Sequence, residues 1–152
     1  MSADDDRKHA DQYADGDLLS ILYREHADIS DALDLVAGSK GDERASNLSA
    51  VTAFMKRHET AEQQVVRPIV SAEDAAEAEA RDAEEAKADA LIAELTALDI
   101  TSAEFETKFA TLKAAVAQHA ELEETEEFPI LEKTRSEAER VVLGEQFLRV
   151  RG

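Results

Sequence analysis

The sequence predicts an all-α protein, an up-down-up-down four-helix bundle with a short extra C-terminal helix. Three observations predict it. The 152-residue chain is 43% hydrophobic and 34% charged, with 5 Gly and 2 Pro, and its abundant Ala, Leu and Glu favour helix over strand. Apolar residues recur at alternating steps of three and four, the signature of one buried helical face. Stop and start signals separate these stretches by short connections, which makes successive helices antiparallel neighbours.

Residues 1–16 are polar and read as a flexible leader, so the bundle domain is expected over 17–152. The first helix is expected from about Asp17 to Val36, with Gly38 as its stop. The second runs from about Ser46 to Arg67 and ends at Pro68. The third follows a capping pattern, Ser71 with Asp74, and reaches about Leu98. The fourth starts at a similar pattern, Thr101 with Glu104, and ends near Phe128, before Pro129. An amphipathic stretch from about Ser136 to Val150 is expected to cover one end or side of the bundle.

The buried stripes follow from this register. They are Leu19, Leu22, His26, Ile29, Leu33 and Val36; then Leu48, Val51, Met55, His58, Glu62, Val65 and Ile69. The third helix contributes Glu85, Ala88, Ile92 and Leu95, and the fourth Phe105, Phe109, Leu112, Val116, His119 and Glu123. The polar members stand within the stripes.

Composition removes several function classes. A net charge of -18 opposes binding to nucleic acid and to anionic membranes. No apolar run approaches a membrane span and the N-terminus is polar, so the expectation is a cytoplasmic protein without a secretory signal. With 0 Cys there is no disulfide and no thiolate metal site. Any metal must be held by imidazole nitrogen and carboxylate oxygen, which suits iron, manganese or zinc.

One motif is repeated. His58, Glu62, Pro68 and Ile69 recur with identical spacing as His119, Glu123, Pro129 and Ile130, and the chain's 2 prolines both fall in this frame. Residues i and i+4 stack on one helical face, so a single turn can offer an imidazole and a carboxylate to one metal, or a carboxylate bridging two. His26 and His58 each lie about 12 residues from the first turn, a rise of about 18 Å, which places them at one level. Glu85 falls within about one turn of that level. Left unpaired in a core, three imidazoles and three carboxylates would each cost several kcal/mol. No Lys or Arg is expected in the stripes at this level, so two cations would have to neutralise them.

These residues resemble the hemerythrin-like, or HHE cation-binding, family over about Asp17 to Leu131. The family pattern is one His on the first helix, His-x-x-x-Glu on the second, one His on the third and His-x-x-x-Glu on the fourth. The resemblance implies two irons joined by an oxo or hydroxo bridge and by carboxylates. It matches at His26, His58, Glu62, His119 and Glu123, and departs on the third helix. There Leu91, Ile92 and Leu95 align Glu85 with the family's His. Glu85 is read as a carboxylate ligand; Glu84 or Asp89 in its place, or a vacant position, are the alternatives.

Three His and three Glu resemble a carboxylate-rich di-iron oxidase more than an oxygen carrier, because anionic oxygen ligands stabilise ferric iron. The expected activity is decomposition or reduction of hydrogen peroxide. The alternatives are dioxygen or nitric oxide binding or sensing, iron handling, and a zinc-bound or metal-free bundle; the expected assembly is a monomer or weak homo-oligomer. Tyr23, one turn before His26, could approach the metals, although a packed tyrosine is the plainer reading. Glu59, next to His58, could reach the site from the helix flank, although an exposed position is the plainer reading; His9 is expected to be loose in the leader, and Glu25, Gln63, Glu124 and Glu127 are candidates for orienting the imidazoles.

Overall fold

The computed structural model describes residues 1–152. Its elements are α1 (Ala3–Ala10), α2 (Leu18–Gly38), α3 (Gly41–Ala61), α4 (Arg67–Glu73), α5 (Ala75–Thr96), α6 (Ala103–Leu122), α7 (Phe128–Thr134) and α8 (Glu137–Arg151). A five-residue π turn joins α3 to α4 (Glu62–Val66) and another joins α6 to α7 (Glu123–Glu127). The structure is therefore an all-α bundle, with α2, α3–α4, α5 and α6–α7 as its long members. No helix is long and apolar enough to cross a membrane.

The prolines do not end their helices. Proline has no N–H and its ring crowds the carbonyl four residues back. Just ahead of each proline the ladder widens by one residue: Arg67 N–H donates to the Glu62 carbonyl and Phe128 N–H to the Glu123 carbonyl, five residues back. A widened turn of this kind frequently marks a functional site. Both turns begin at the Glu of the repeated motif.

The start signals also differ in detail. Asp74 caps α5 by accepting from Glu77 N–H, so Ser71 belongs to α4. Ser102 caps α6 by accepting from Phe105 N–H. Helix α3 begins at Gly41, five residues before Ser46. At α8 the structure agrees with the sequence, and Ser136 with Glu139 forms a full capping box.

The polar leader contains α1. Ser2 and Asp5 form a capping box, and Arg7 pairs with Asp28 (3.2 Å) and Asp31 (2.6 Å) on α2. His9 stacks on Tyr23 with ring centroids 5.2 Å apart, so it is a packing residue of α1 rather than a loose one. Helix α8 is fastened at the start of α2. Arg140 Nε donates to both oxygens of Asp17 (3.0 and 3.1 Å), and Asp17 also caps α2. At Gly144 an added Cβ would stand 2.0 Å from the Gly16 carbonyl oxygen, so only glycine allows this close approach.

The expected stripe positions are buried, except Ala88, Ile92, Val116 and His119, which are half-buried. They do not form one apolar core. A cluster of 14 residues including Leu19, Leu22, Val66, Val70, Phe128, Leu131 and Phe147 lies toward one end. A second, of 10 residues including Ile29, Leu33, Met55, Leu95, Phe105 and Leu112, lies toward the other. Along every long helix the sequence passes from one cluster to the other through a polar ligand candidate: His26, His58 with Glu62, Glu85, or His119 with Glu123.

Candidate metal centre

The polar layer resolves into two groups of converging ligand atoms, each group within 4.8 Å: His26, His58, Glu62 and Glu123, and Glu62, Glu85, His119 and Glu123. All six residues named from the sequence are brought together, Glu85 included, while Asp89 stays outside both groups. Glu62 and Glu123 belong to both, the arrangement required of carboxylates that bridge two cations. For Glu123 the division is explicit. Its Oε1 lies 3.1 Å from His26 Nε2 in the first group, and its Oε2 lies 3.4 Å from His119 Nε2 in the second.

The imidazoles are oriented by carboxylates on their far side. His26 Nδ1 donates to Glu124 (2.6 Å), His58 Nδ1 to Glu25 (3.0 Å) and His119 Nδ1 to Glu84 (2.7 Å). This leaves each Nε2 facing the centre, the usual means of fixing the tautomer of a metal-binding histidine. Glu25 and Glu124 thus act as the sequence suggested. Gln63 instead donates to Glu85 (3.0 Å), and Glu127 faces Arg67 (3.4 Å). Aromatic rings shelter the first group, with Phe128 stacked 5.5 Å from His26 and Phe147 edge-on at 5.9 Å from His58. From α8, Arg151 Nε reaches Glu25 at 2.8 Å.

Arg67 overturns the expectation that no cationic side chain reaches this level. It is 4% exposed, and its Nη2 donates to Glu85 (2.6 Å) and Glu123 (3.0 Å). Glu59 also departs from expectation. It is buried and lines the cavity at the centre, and Glu59 Oε2 has no hydrogen-bond partner. Tyr23 packs edge-on to Phe128 (4.9 Å) and belongs to neither ligand group.

The electrostatics are those of a crowded anionic core. Burial and the Glu123 charge push the Glu62 carboxyl up to about 7. Burial, then Asp89 and Glu85, push Glu59 to about 8. Burial opposes charge on His26, but Glu123 and Glu124 outweigh it and hold the imidazole at about 9. His119 is likewise held at about 12 against burial by Glu123 and Glu85. Burial would raise Glu123, yet His119 and His26 keep it well below the usual carboxylate range.

These residues fit metal ions. Both oxygens of Glu62 are buried without a hydrogen-bond donor, although His58 Nε2 stands 2.9 Å from Oε1. A carboxylate so placed is costly unless a cation meets it. The donor set of imidazole and carboxylate suits iron, manganese or zinc. Between the ligands lies a cavity of about 50 Å³, walled elsewhere by Ile29, Met55, Ala88, Ala115 and Val116.

The sequence matches the family model described as the Hemerythrin HHE cation binding domain over residues 17–131. No curated protein and no solved structure matches the chain.

Proposed function

The chain belongs to the hemerythrin HHE cation-binding family, and from that premise we propose that it holds two iron ions and decomposes or reduces hydrogen peroxide. His26 and His58 would hold one ion, Glu85 and His119 the other, and Glu62 and Glu123 would join them. When bound, the iron pair supplies the electron transfers that divide the oxygen–oxygen bond and return the centre to its starting state.

The residues of the chain prepare this chemistry. Glu25, Glu84 and Glu124 hold the imidazole Nδ1 protons, so the Nε2 lone pairs stay directed inward. Phe128 and Phe147 exclude water from His26 and His58. The apolar walls of Ile29, Met55 and Val116 beside the ligands suit the approach of a small neutral molecule, and Glu59 offers it a hydrogen-bonding carboxyl.

One observation carries the choice of peroxide: the second ligand group contains three carboxylates and one imidazole. Anionic oxygen donors favour ferric iron, and reversible dioxygen carriage needs a readily regenerated ferrous pair. Iron-loaded protein is therefore expected to consume hydrogen peroxide, with two molecules giving two of water and one of dioxygen in an oxygen-electrode assay. Glu85→His should slow this turnover. Iron-loaded protein that leaves peroxide untouched but takes up dioxygen or nitric oxide reversibly would overturn the reading in favour of a binding or sensing role.

A further inference from the structure

We propose that Arg67 is the resident counter-ion of the second metal position, and that a cation entering there displaces its guanidinium onto Glu127. The inference rests on the two-metal reading of the centre. Arg67 Nη2 lies 2.6 Å from Glu85 Oε2 and 3.0 Å from Glu123 Oε2. These same two oxygens face His119 Nε2, at 3.1 and 3.4 Å. The guanidinium and an incoming cation therefore compete for the same lone pairs, and like charges cannot share them at contact distance.

A receiver stands beside the guanidinium. Glu127 is fully buried, and neither of its oxygens has a hydrogen-bond donor. Its Oε2 lies 3.4 Å from Arg67 Nε, and Asp82 Oδ1 lies 3.3 Å from the same nitrogen. Arg67 Nε and Nη1 themselves lack hydrogen-bond partners. Rotation about the terminal bonds of Arg67 can exchange the contacts with Glu85 and Glu123 for a paired contact with Glu127, a geometry that guanidinium and carboxylate favour. A buried carboxylate without a donor, unused by either ligand group, thereby gains a role.

The internal repeat shows why only one position carries this device. Arg67 and Phe128 occupy the same place in the two motifs, each five residues after the shared glutamate and just before proline. The π turns swing both side chains inward. Phe128 stacks on His26 of the first position, whereas Arg67 reaches Glu85 of the second. The first position has two imidazoles and no guanidinium of its own; the second has one imidazole and must expel a guanidinium. The positions should fill in order, with the second weaker by about tenfold to a hundredfold, the equivalent of one charge-assisted hydrogen bond.

The test is titration of the metal-free full-length protein with cobalt(II), followed by calorimetry and by visible absorption of the bound ion. The expected result is two resolved phases. Arg67→Met should strengthen the second phase by about tenfold and leave the first unchanged. Glu127→Gln keeps the shape of the receiver but cannot become an anion to pair with the displaced guanidinium, and should weaken the second phase alone. Circular dichroism checks that each variant is folded; should Arg67→Met not fold, Glu127→Gln decides. Two equal phases in the unmodified chain, loss of the second ion in Arg67→Met, or an unchanged second phase in Glu127→Gln would each overturn the role of Arg67 while leaving the two-metal reading intact. Absence of any bound cobalt would overturn both.

Discussion

Glu62 is fully buried; His58 Nε2 stands 2.9 Å from its Oε1 without a well-formed hydrogen bond, and Oε2 has no donor. In the metal-free chain it is an unreturned cost, and Glu62→Gln measures it. Burial and the neighbouring Glu123 raise its carboxyl from 4.5 to about 7, so keeping it ionised at pH 8 costs about 3 kcal/mol. Glutamine removes that charge at constant shape. Its amide must still find partners beside His58, which offsets about 1–2 kcal/mol. The net expectation is a metal-free variant more stable by about 1–2 kcal/mol, or about 2–8 °C in melting temperature for a chain of this size. With iron or zinc present the order reverses, because the unmodified protein gains the binding free energy of its bridged ions and the variant loses a shared ligand. Differential scanning calorimetry with and without metal reads both effects. A glutamine variant that melts lower without metal would refute the reasoning, since Glu62 would then be a structural residue rather than one held in wait for a cation.

Three further outcomes are expected. His26, Glu59 and Glu127 are held at about 9, 8 and 9, above ordinary values of 6.5, 4.5 and 4.5, so their stabilising protons are fully present below the ordinary values and lost as pH rises through the raised ones. The melting temperature of the metal-free chain should accordingly rise as pH falls from 9 to about 6, while metal-conferred stabilisation shrinks over the same range because ligands must shed protons to bind; parallel scans across pH check both slopes. Glu84→Gln and Glu124→Gln, which weaken the hold on His119 and His26, should each lower metal affinity by about tenfold to a hundredfold in competition with a chelator. Gly144→Ala forces a methyl group against the Gly16 carbonyl and should cost about 2 kcal/mol or more by detaching α8, seen as a lower urea midpoint; an unchanged midpoint would mean that α8 contributes little to the fold.

The ligands are legible in the sequence because a polar residue in an apolar stripe is conspicuous. His26, His58, Glu62, His119 and Glu123 each interrupt a run of core positions, and all five converge. Glu85 is recognisable only through its spacing from Leu91, Ile92 and Leu95, and it too reaches the centre. The less legible residues lie just beyond the two motifs. A regular helix through Glu62 would turn Arg67 toward solvent, but the π turn adds a residue to the ladder and rotates the next turn of helix. Arg67, Val66 and Val70 become buried as a result, as do Phe128 and Leu131 in the second copy. The available signal is a proline at the same place in both repeats, inside an apolar pattern that continues past it to Val70 and Leu131. Helix α1 is hidden differently. Its composition is polar because it packs through salt bridges and one aromatic stack, and the pattern of Ser2 with Asp5 is the one clue to its start.

The most direct test of the central claim is anomalous X-ray diffraction at the iron edge from crystals of iron-loaded protein. Two peaks are predicted per chain, one bonded to His26 and His58, the other to Glu85 and His119, and both touching Glu62 and Glu123. A single peak, peaks on surface carboxylates, or an empty layer between the two apolar clusters would contradict it.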